Sequence, residues 1–403
     1  MTRSLAVIFM TILLDAVGIG LIFPILPSLL EDVTQAGNTA SYVGILTALY
    51  AAMQFLFAPV LGALSDKLGR RPVLLISLAG AVANYLFLAF APNLSLLLVG
   101  RAVAGLTSAN TSVAAAYITD ISSEDTRARR FGLLNAMFGT GFIIGPVLGG
   151  ILGDYWVRLP FIAAAVLTSI NLILALLTLP ESRAPSGGKI DLAALNPLRP
   201  LHWVLGRTRL LPIVFVFFIF SGLGEVYGTC WALWGQDVFQ WNGLWIGLSL
   251  GTYGVCQTFA QACLPGPAVK VLGERRAVLT GIASACVALA VLSVANQGWM
   301  VFAVMPILVL GGIGVPALQS FATRQVAEGE QGQFQGVLQS AVSLASVVAP
   351  LAFSTIYLAV REGWPGAVWL SAIAVYGVGT LLIVRLRFEK SQRDAGGELQ
   401  GSF

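Results

Sequence analysis

Long apolar runs separated by short charged turns set the pattern of this chain. Twelve runs are long enough to cross the roughly 30 Å hydrocarbon layer as helices. They lie near residues 5–30, 41–64, 72–91, 94–119, 130–153, 159–179, 210–235, 243–268, 275–295, 298–322, 333–360 and 365–386. The first run is too long for a cleavable leader and contains Asp15, Pro24 and Pro27, so it is read as the first spanning helix. Residues 181–209 are rich in Pro, Gly and charge, which predicts a linker on the membrane surface with a short interfacial helix inside Leu192–Leu205. The expected organisation is a six-helix bundle over 1–180, the linker over 181–209, a second bundle over 210–388 and a tail over 389–403.

The pattern is written twice. The turn Gly62-Ala-Leu-Ser-Asp66-Lys-Leu-Gly69-Arg70-Arg71-Pro72 recurs 204 residues later as Gly266-Pro-Ala-Val-Lys270-Val-Leu-Gly273-Glu-Arg275-Arg276. The same offset carries Gly132 onto Gly336, Leu134 onto Leu338 and Pro146 onto Pro350. A constant offset in three separate segments is the mark of a duplicated bundle. Lys270 stands where the first copy has Asp66, which predicts an asymmetric pair of turns.

Composition narrows the class. Apolar residues make up 57% of the chain and charged residues 10%, against about 25% charged in a soluble domain. With a mean hydropathy of +0.84, this predicts an all-α, multi-pass membrane protein. The net charge of +4 is no nucleic-acid signal, because the basic residues sit in loops. Of 23 Lys and Arg, 20 fall in the termini, the linker and the loops on one side. Arg158 and Arg361 lie on the other side and Arg101 lies inside a span. Both termini are therefore expected in the cytoplasm. The four cysteines sit in apolar runs without a CxxC, and His202 is the single histidine. No metal site or cofactor is expected.

Candidate chemistry comes from charge inside the spans, which costs roughly 2.5–3.5 kcal/mol per residue on insertion scales. Asp15, Arg101 and Glu225 qualify. The helices bearing the two acids are equivalent in the two halves, so both acids should face the space between them and exchange protons there. The alternative is a structural pairing with Arg101 or a cap on a broken helix. Tyr50, Gln54, Asn84, Asn110, Asn135, Trp231, Gln257, Gln261 and Gln319 are the expected lining of a central cavity. Each could instead join helices, at about 0.6 kcal/mol per contact. Trp241, Trp245, Trp299 and Trp364 fall near span ends and read as interface anchors. Gly141, Gly145, Pro146 and Gly149 form a small-residue face predicted to lie pliantly between the halves. Asp66, Arg70, Arg71 and Asp120 form a predicted gating latch, the alternative being a solvated basic loop.

The turn at 62–72, Arg101 with Gly105, and the glycine-proline run at 141–150 resemble the motifs of the major facilitator superfamily. Leu14–Pro27, Ala48–Gln54 and Gly311–Gln319 are similar to its proton-coupled drug antiporters, including tetracycline exporters. The resemblance spans essentially the whole chain. It implies twelve helices in two six-helix bundles, and proton-coupled efflux of a small amphipathic drug or metabolite by alternating access. It also implies an inner-membrane location, a proton gradient as the energy source, and Asp15 and Arg101 as matched functional positions. A monomer in the lipid bilayer is expected, its partners being protons and a small molecule, with no nucleic acid. Such exporters typically carry acids where this chain has Asn84 and Ala285, a histidine at Gln257 and an amide at Glu225. These departures imply an altered proton and substrate site. A nutrient or siderophore-like importer or facilitator is the nearest alternative, and a non-transporting membrane sensor is another. No nucleophile–base set or phosphate loop points to an enzyme.

Overall fold

Unbroken backbone hydrogen bonding within each segment is the condition for crossing lipid, and helices dominate here accordingly. The computed structural model describes residues 3–34, 38–183 and 195–385. In the first half the helices are α1 (Arg3–Thr34), α2 (Thr39–Leu68), α3 (Arg70–Phe90), α4 (Leu94–Thr107), α5 (Asn110–Ile121), α6 (Glu124–Tyr155) and α7 (Leu159–Thr178). A short α8 (Arg199–Leu205) follows. The second half comprises α9 (Leu211–Phe239), α10 (Gly243–Cys263), α11 (Pro265–Leu272), α12 (Glu274–Val294), α13 (Gly298–Val309), α14 (Val315–Thr323), α15 (Gln331–Val360) and α16 (Ala367–Arg385).

Among the described residues, ten helices are long and apolar enough to cross a membrane. The two other expected spans are helical as well: α4 with α5, and α10 running into α11. Several helices overrun the apolar runs. The segment from Glu124 to Arg130 is charged yet extends α6, because intrahelical hydrogen bonds hold in water as they do in lipid. Part of the predicted linker (184–194) and the predicted tail (389–403) lie outside the described residues.

Two spans are broken at equivalent points. The first break falls at Ser108–Ala109. The Ser108 backbone leaves the helix with ψ 86°, and its Oγ engages the Tyr50 hydroxyl at 2.9 Å and accepts from Gln54 Nε2 at 3.0 Å. A serine hydroxyl drawn to side-chain partners in this way competes with the helical conformation. The second break runs through Leu310–Gly312 to Gly314, where three glycines weaken the helix. A Cβ at Gly311 would lie 2.9 Å from that of Ala285.

The charged turns are built alike. Gly69 (φ 100°) and Gly273 (φ 78°) take the left-handed backbone each turn requires. Arg70 is buried and holds Asp66 at 2.8 Å, Asp120 at 3.0 Å and Ser65 Oγ at 3.0 Å. In the second half, the residues 204 positions on from Asp66, Arg70 and Asp120 are Lys270, Glu274 and Arg324, and Arg324 pairs with Glu274. The expected asymmetry is therefore one of sign: the second triad inverts all three charges. At the opposite end each half carries another Arg–Asp pair, Arg158–Asp32 at 3.1 Å and Arg361–Asp237 at 2.7 Å, each residue of the second pair one position off the 204-residue offset. Hydrogen bonding to Asp237 pushes the Arg361 guanidinium up from its ordinary value.

The halves meet at that second end. α6 packs on α10 and α2 on α15. A Cβ at Gly150 would collide with the backbone of Gly243, and one at Gly44 with Ser354 and the Pro350 carbonyl. Asp154 caps α10 across the boundary, accepting from the amides of Gly243 at 2.8 Å and Leu244 at 3.0 Å. At the turn-bearing end, a vestibule of about 720 Å³ separates α2 and α5 from α15 and the Asn196–Pro200 segment.

Candidate functional site

Two adjoining chambers occupy the middle of the molecule. The smaller, about 180 Å³, lies mostly within the first half. α1 brings Asp15 to it, α2 Tyr50 and Gln54, α3 Asn84 and Tyr85, α4 Arg101, and α5 its first residue Asn110. Asn110 Nδ2 donates to Asp15 Oδ1 at 2.8 Å, so the break in the span presents an amide to the acid. The Arg101 guanidinium lies 5.3 Å from the centre of the Tyr50 ring, a cation–π distance. Ser77 Oγ, Asn84 Oδ1, Arg101 Nε and Asn110 Oδ1 are buried on these walls without a protein partner. A wall of that kind suits water or a polar ligand.

The larger chamber, about 820 Å³, lies between the halves. Its walls are aromatic: Phe23 packs on Phe142 at 5.9 Å, Phe138 stacks on Phe142 at 5.5 Å, and Tyr227 stacks on Tyr253 at 6.0 Å. Gln257, Gln319, Gln335 and Gln339 supply polar groups. Gln319 Nε2 donates to Gln335 Oε1 at 2.7 Å. Phe23, Glu225 and Gly228 line both chambers. Glu225 Oε1 accepts from Ser346 Oγ at 2.7 Å.

Most of the residues picked out in the sequence converge here. Asp15, Arg101, Glu225, Tyr50, Gln54, Asn84 and Asn110 share the small chamber, while Gln257 and Gln319 join Glu225 in the large one. Three expected lining residues fall elsewhere. Asn135 and Gln261 are exposed, one turn past the chamber-lining Gly139 and Gln257 on the same helix faces. Trp231 is buried against Trp234 and Trp369, with Nε1 donating to Ser249 Oγ at 2.9 Å. Trp241 is no interface anchor either: it is buried against Phe239. Trp245, Trp299 and Trp364 are exposed, as anchors are.

The glycine face also has a different partner from the expected one. A Cβ at Gly141, Gly145 or Gly149 would meet the backbone of α1 at Leu13, Val17 or Leu21, inside the same half. Contact with the second half is made by Pro146, whose carbonyl lies against Gly247, by Ile143 and Val147 against Gly251, and by Gly150. Of the residues expected to form a latch, Asp66 and Asp120 both pair with Arg70. Glu181, missed in the sequence among the linker charges, joins them by accepting from the amides of Arg70 at 2.7 Å and Arg71 at 3.1 Å. Arg71 Nη2 donates to the Leu176 carbonyl at 2.7 Å. Ser346, Tyr227, Tyr253, Tyr376, Gln335 and Gln339 were also missed, although Gln335 and Gln339 form a polar i, i+4 pair on an apolar helix that could have signalled them.

Residues 8–260 and 226–402 match the family model described as Major Facilitator Superfamily. The class C tetracycline resistance protein of Escherichia coli is 46% identical over 374 residues, spanning 93% of this chain and 94% of that protein. The class G tetracycline resistance protein of Vibrio anguillarum is 43% identical over 390 residues, spanning 96% and 99%. Among solved structures, the nucleoside transporter NupG matches with a TM-score of 0.82 over 95% of this chain and 99% of that one. At 11% identity that likeness speaks for the fold alone.

Proposed function

The chain belongs to the major facilitator superfamily, and from that premise we propose a secondary transporter that exports a small amphipathic compound in exchange for protons. Two relatives above 40% identity are named tetracycline resistance proteins, so a tetracycline-like compound is the proposed cargo. Import or facilitation of a nutrient is the weaker reading beside relatives with those names. The observation that carries the proposal is Glu225, an acid on the walls of both chambers, with Asp15 on the smaller one. Protons held on these two carboxyls couple the chambers to the gradient, and Arg101 beside Tyr50 tunes Asp15. No cofactor is needed, because each pH unit supplies about 1.4 kcal/mol and each 100 mV about 2.3 kcal/mol per charge.

The vestibule opens at the end bearing most of the basic loops, which the positive-inside rule assigns to the cytoplasm. The termini and linker are then cytoplasmic, the membrane is the inner one, and the molecule is a monomer open inward. Alternating access closes the Asp66 end as the Gly150–Gly243 end parts. In this scheme Asp66, Arg70, Arg71 and Asp120 gate the inner mouth, while Gly141, Gly145 and Gly149 hold α6 on α1 so that each half moves as a body.

Purified protein in liposomes with an imposed pH gradient tests the proposal. Tetracycline should accumulate against its own gradient, and an ionophore that collapses the proton gradient should stop it. Flux that merely equilibrates, with or without the gradient, would replace antiport by facilitation. For the gate, Asp66→Asn should slow turnover about tenfold, as the loss of a 1.4 kcal/mol bias would, with affinity nearly unchanged. Lost binding with intact turnover of bound cargo would remove Asp66 from the gate.

A further inference from the structure

We infer that the large chamber selects aromatic cations, and that Glu225 rather than Asp15 reads their charge. The inference rests on the transport reading above and specifies what that cavity takes. Glu225 is the one charged side chain among the described residues lining the large chamber. Its carboxylate accepts a single hydrogen bond, from Ser346, and among the described residues it has no ion-pair partner. Gly224 and Gly228 flank it one position and three positions away, and a Cβ at Gly224 would meet open space. The acid therefore faces the chamber uncovered by its own helix.

A carboxylate held among apolar walls is costly unless a cation neutralises it. The rings around it favour the same sign of guest, because aromatic faces attract positive charge. Phe23, Phe142, Tyr227 and Tyr253 supply such faces, and the amides of Gln257 and Gln319 are neutral. A volume of about 820 Å³ is in the range that holds a drug-sized molecule. The guest that fits is a planar or polycyclic aromatic body bearing an ammonium or quaternary centre. Asp15 is placed differently. It lines only the small chamber, where Asn110 bonds it and Arg101 stands on the same walls. The two acids thus divide the work, Glu225 meeting cargo as well as protons and Asp15 meeting protons alone.

Tetraphenylphosphonium is the probe of choice, being permanently charged, aromatic, and without a proton to lose or oxygens to chelate a metal. Equilibrium dialysis against the full-length protein in detergent should show saturable binding. Glu225→Gln should weaken it at least tenfold, roughly the loss of one good charged contact. Glu225→Asp, which keeps the charge, should restore most of it and shows that the site still folds. Asp15→Asn should leave the affinity within about twofold, within the usual scatter of a residue that makes no contact. Equal binding by Glu225→Gln, or a loss in Asp15→Asn as large as in Glu225→Gln, overturns the inference. Failure of the wild type to bind the cation while it still accumulates tetracycline overturns the inference and leaves the transport reading standing. Cation binding without any gradient-driven tetracycline flux supports the chamber's charge preference and sinks the transport reading instead.

Discussion

Asp15→Asn is expected to abolish proton-driven accumulation while the protein still folds. The substitution keeps side-chain volume and leaves an amide oxygen to accept from Asn110 Nδ2 as Asp15 Oδ1 does at 2.8 Å. The surrounding chamber is already polar, with Tyr50, Gln54, Ser77 and Asn84 on its walls, so the new amide N–H groups do not enter an apolar site. What disappears is a group that can carry a proton. One pH unit across the membrane is worth about 1.4 kcal/mol per proton, which sustains about a tenfold cargo gradient. In the variant that ratio should fall to one, with residual flux that merely equilibrates. Accumulation in liposomes under an imposed gradient reads this directly. An unchanged ratio would demote Asp15 to a structural acid bonded to Asn110.

Gly150→Ala is expected to abolish transport by a different route, by preventing closure of the end at which the halves meet. The added methyl would drive into the Gly243 carbonyl and the Leu244 backbone, which cannot swing aside as a side-chain tip can. α6 and α10 must then separate, and Asp154 loses its grip on the first amides of α10. The collision is between halves, so the fold of each half survives and the population moves to the state open at that end. A cysteine at Ser28, whose hydroxyl accepts from Gln236 across the same boundary at 3.1 Å, reports the shift. Its labelling by a membrane-impermeant maleimide from the outer side should quicken about tenfold, for a bias near 1.4 kcal/mol. Unchanged labelling together with normal transport would show that this contact is not a gate. Gly141→Ala provides the contrast. Its methyl would lie 2.6 Å from the Leu13 carbonyl within one half, so it should lower the yield of folded protein rather than shift the state.

The spans and the duplication are legible in the sequence because both rest on local, periodic requirements of lipid. Asp15, Arg101 and Glu225 are legible because charge in a span is rare enough to be informative. The break at Ser108–Ala109 is not legible. No proline or glycine marks it, and its cause lies in Tyr50 and Gln54, more than 50 residues away. The Gly311-Gly-Ile-Gly break does leave such a mark. For Asn135, Gln261 and Trp231 the helix face is readable from spacing, but depth along the axis is not, because helix tilt and the ends of the chamber are tertiary properties. The glycine run at 141–149 shows a similar limit. Spacing tells that a backbone comes close, and only the fold tells that it is α1 of the same half rather than the opposite bundle.

The inverted triads constrain how the duplicated halves could ever exchange parts. A chimera that replaced the 62–72 turn by the 266–276 turn would bring a glutamate, the counterpart of Glu274, to the place where Arg70 now holds Asp120. Two carboxylates would then face each other at about 3 Å, and a lysine would replace the acid one turn earlier. The smallest interchangeable module is therefore discontinuous: the turn must travel with the distant helix end that answers it, Asp120 in one half and Arg324 in the other. Since the original duplication, each half has committed to its own polarity, and recombination at this corner is viable only as a matched set.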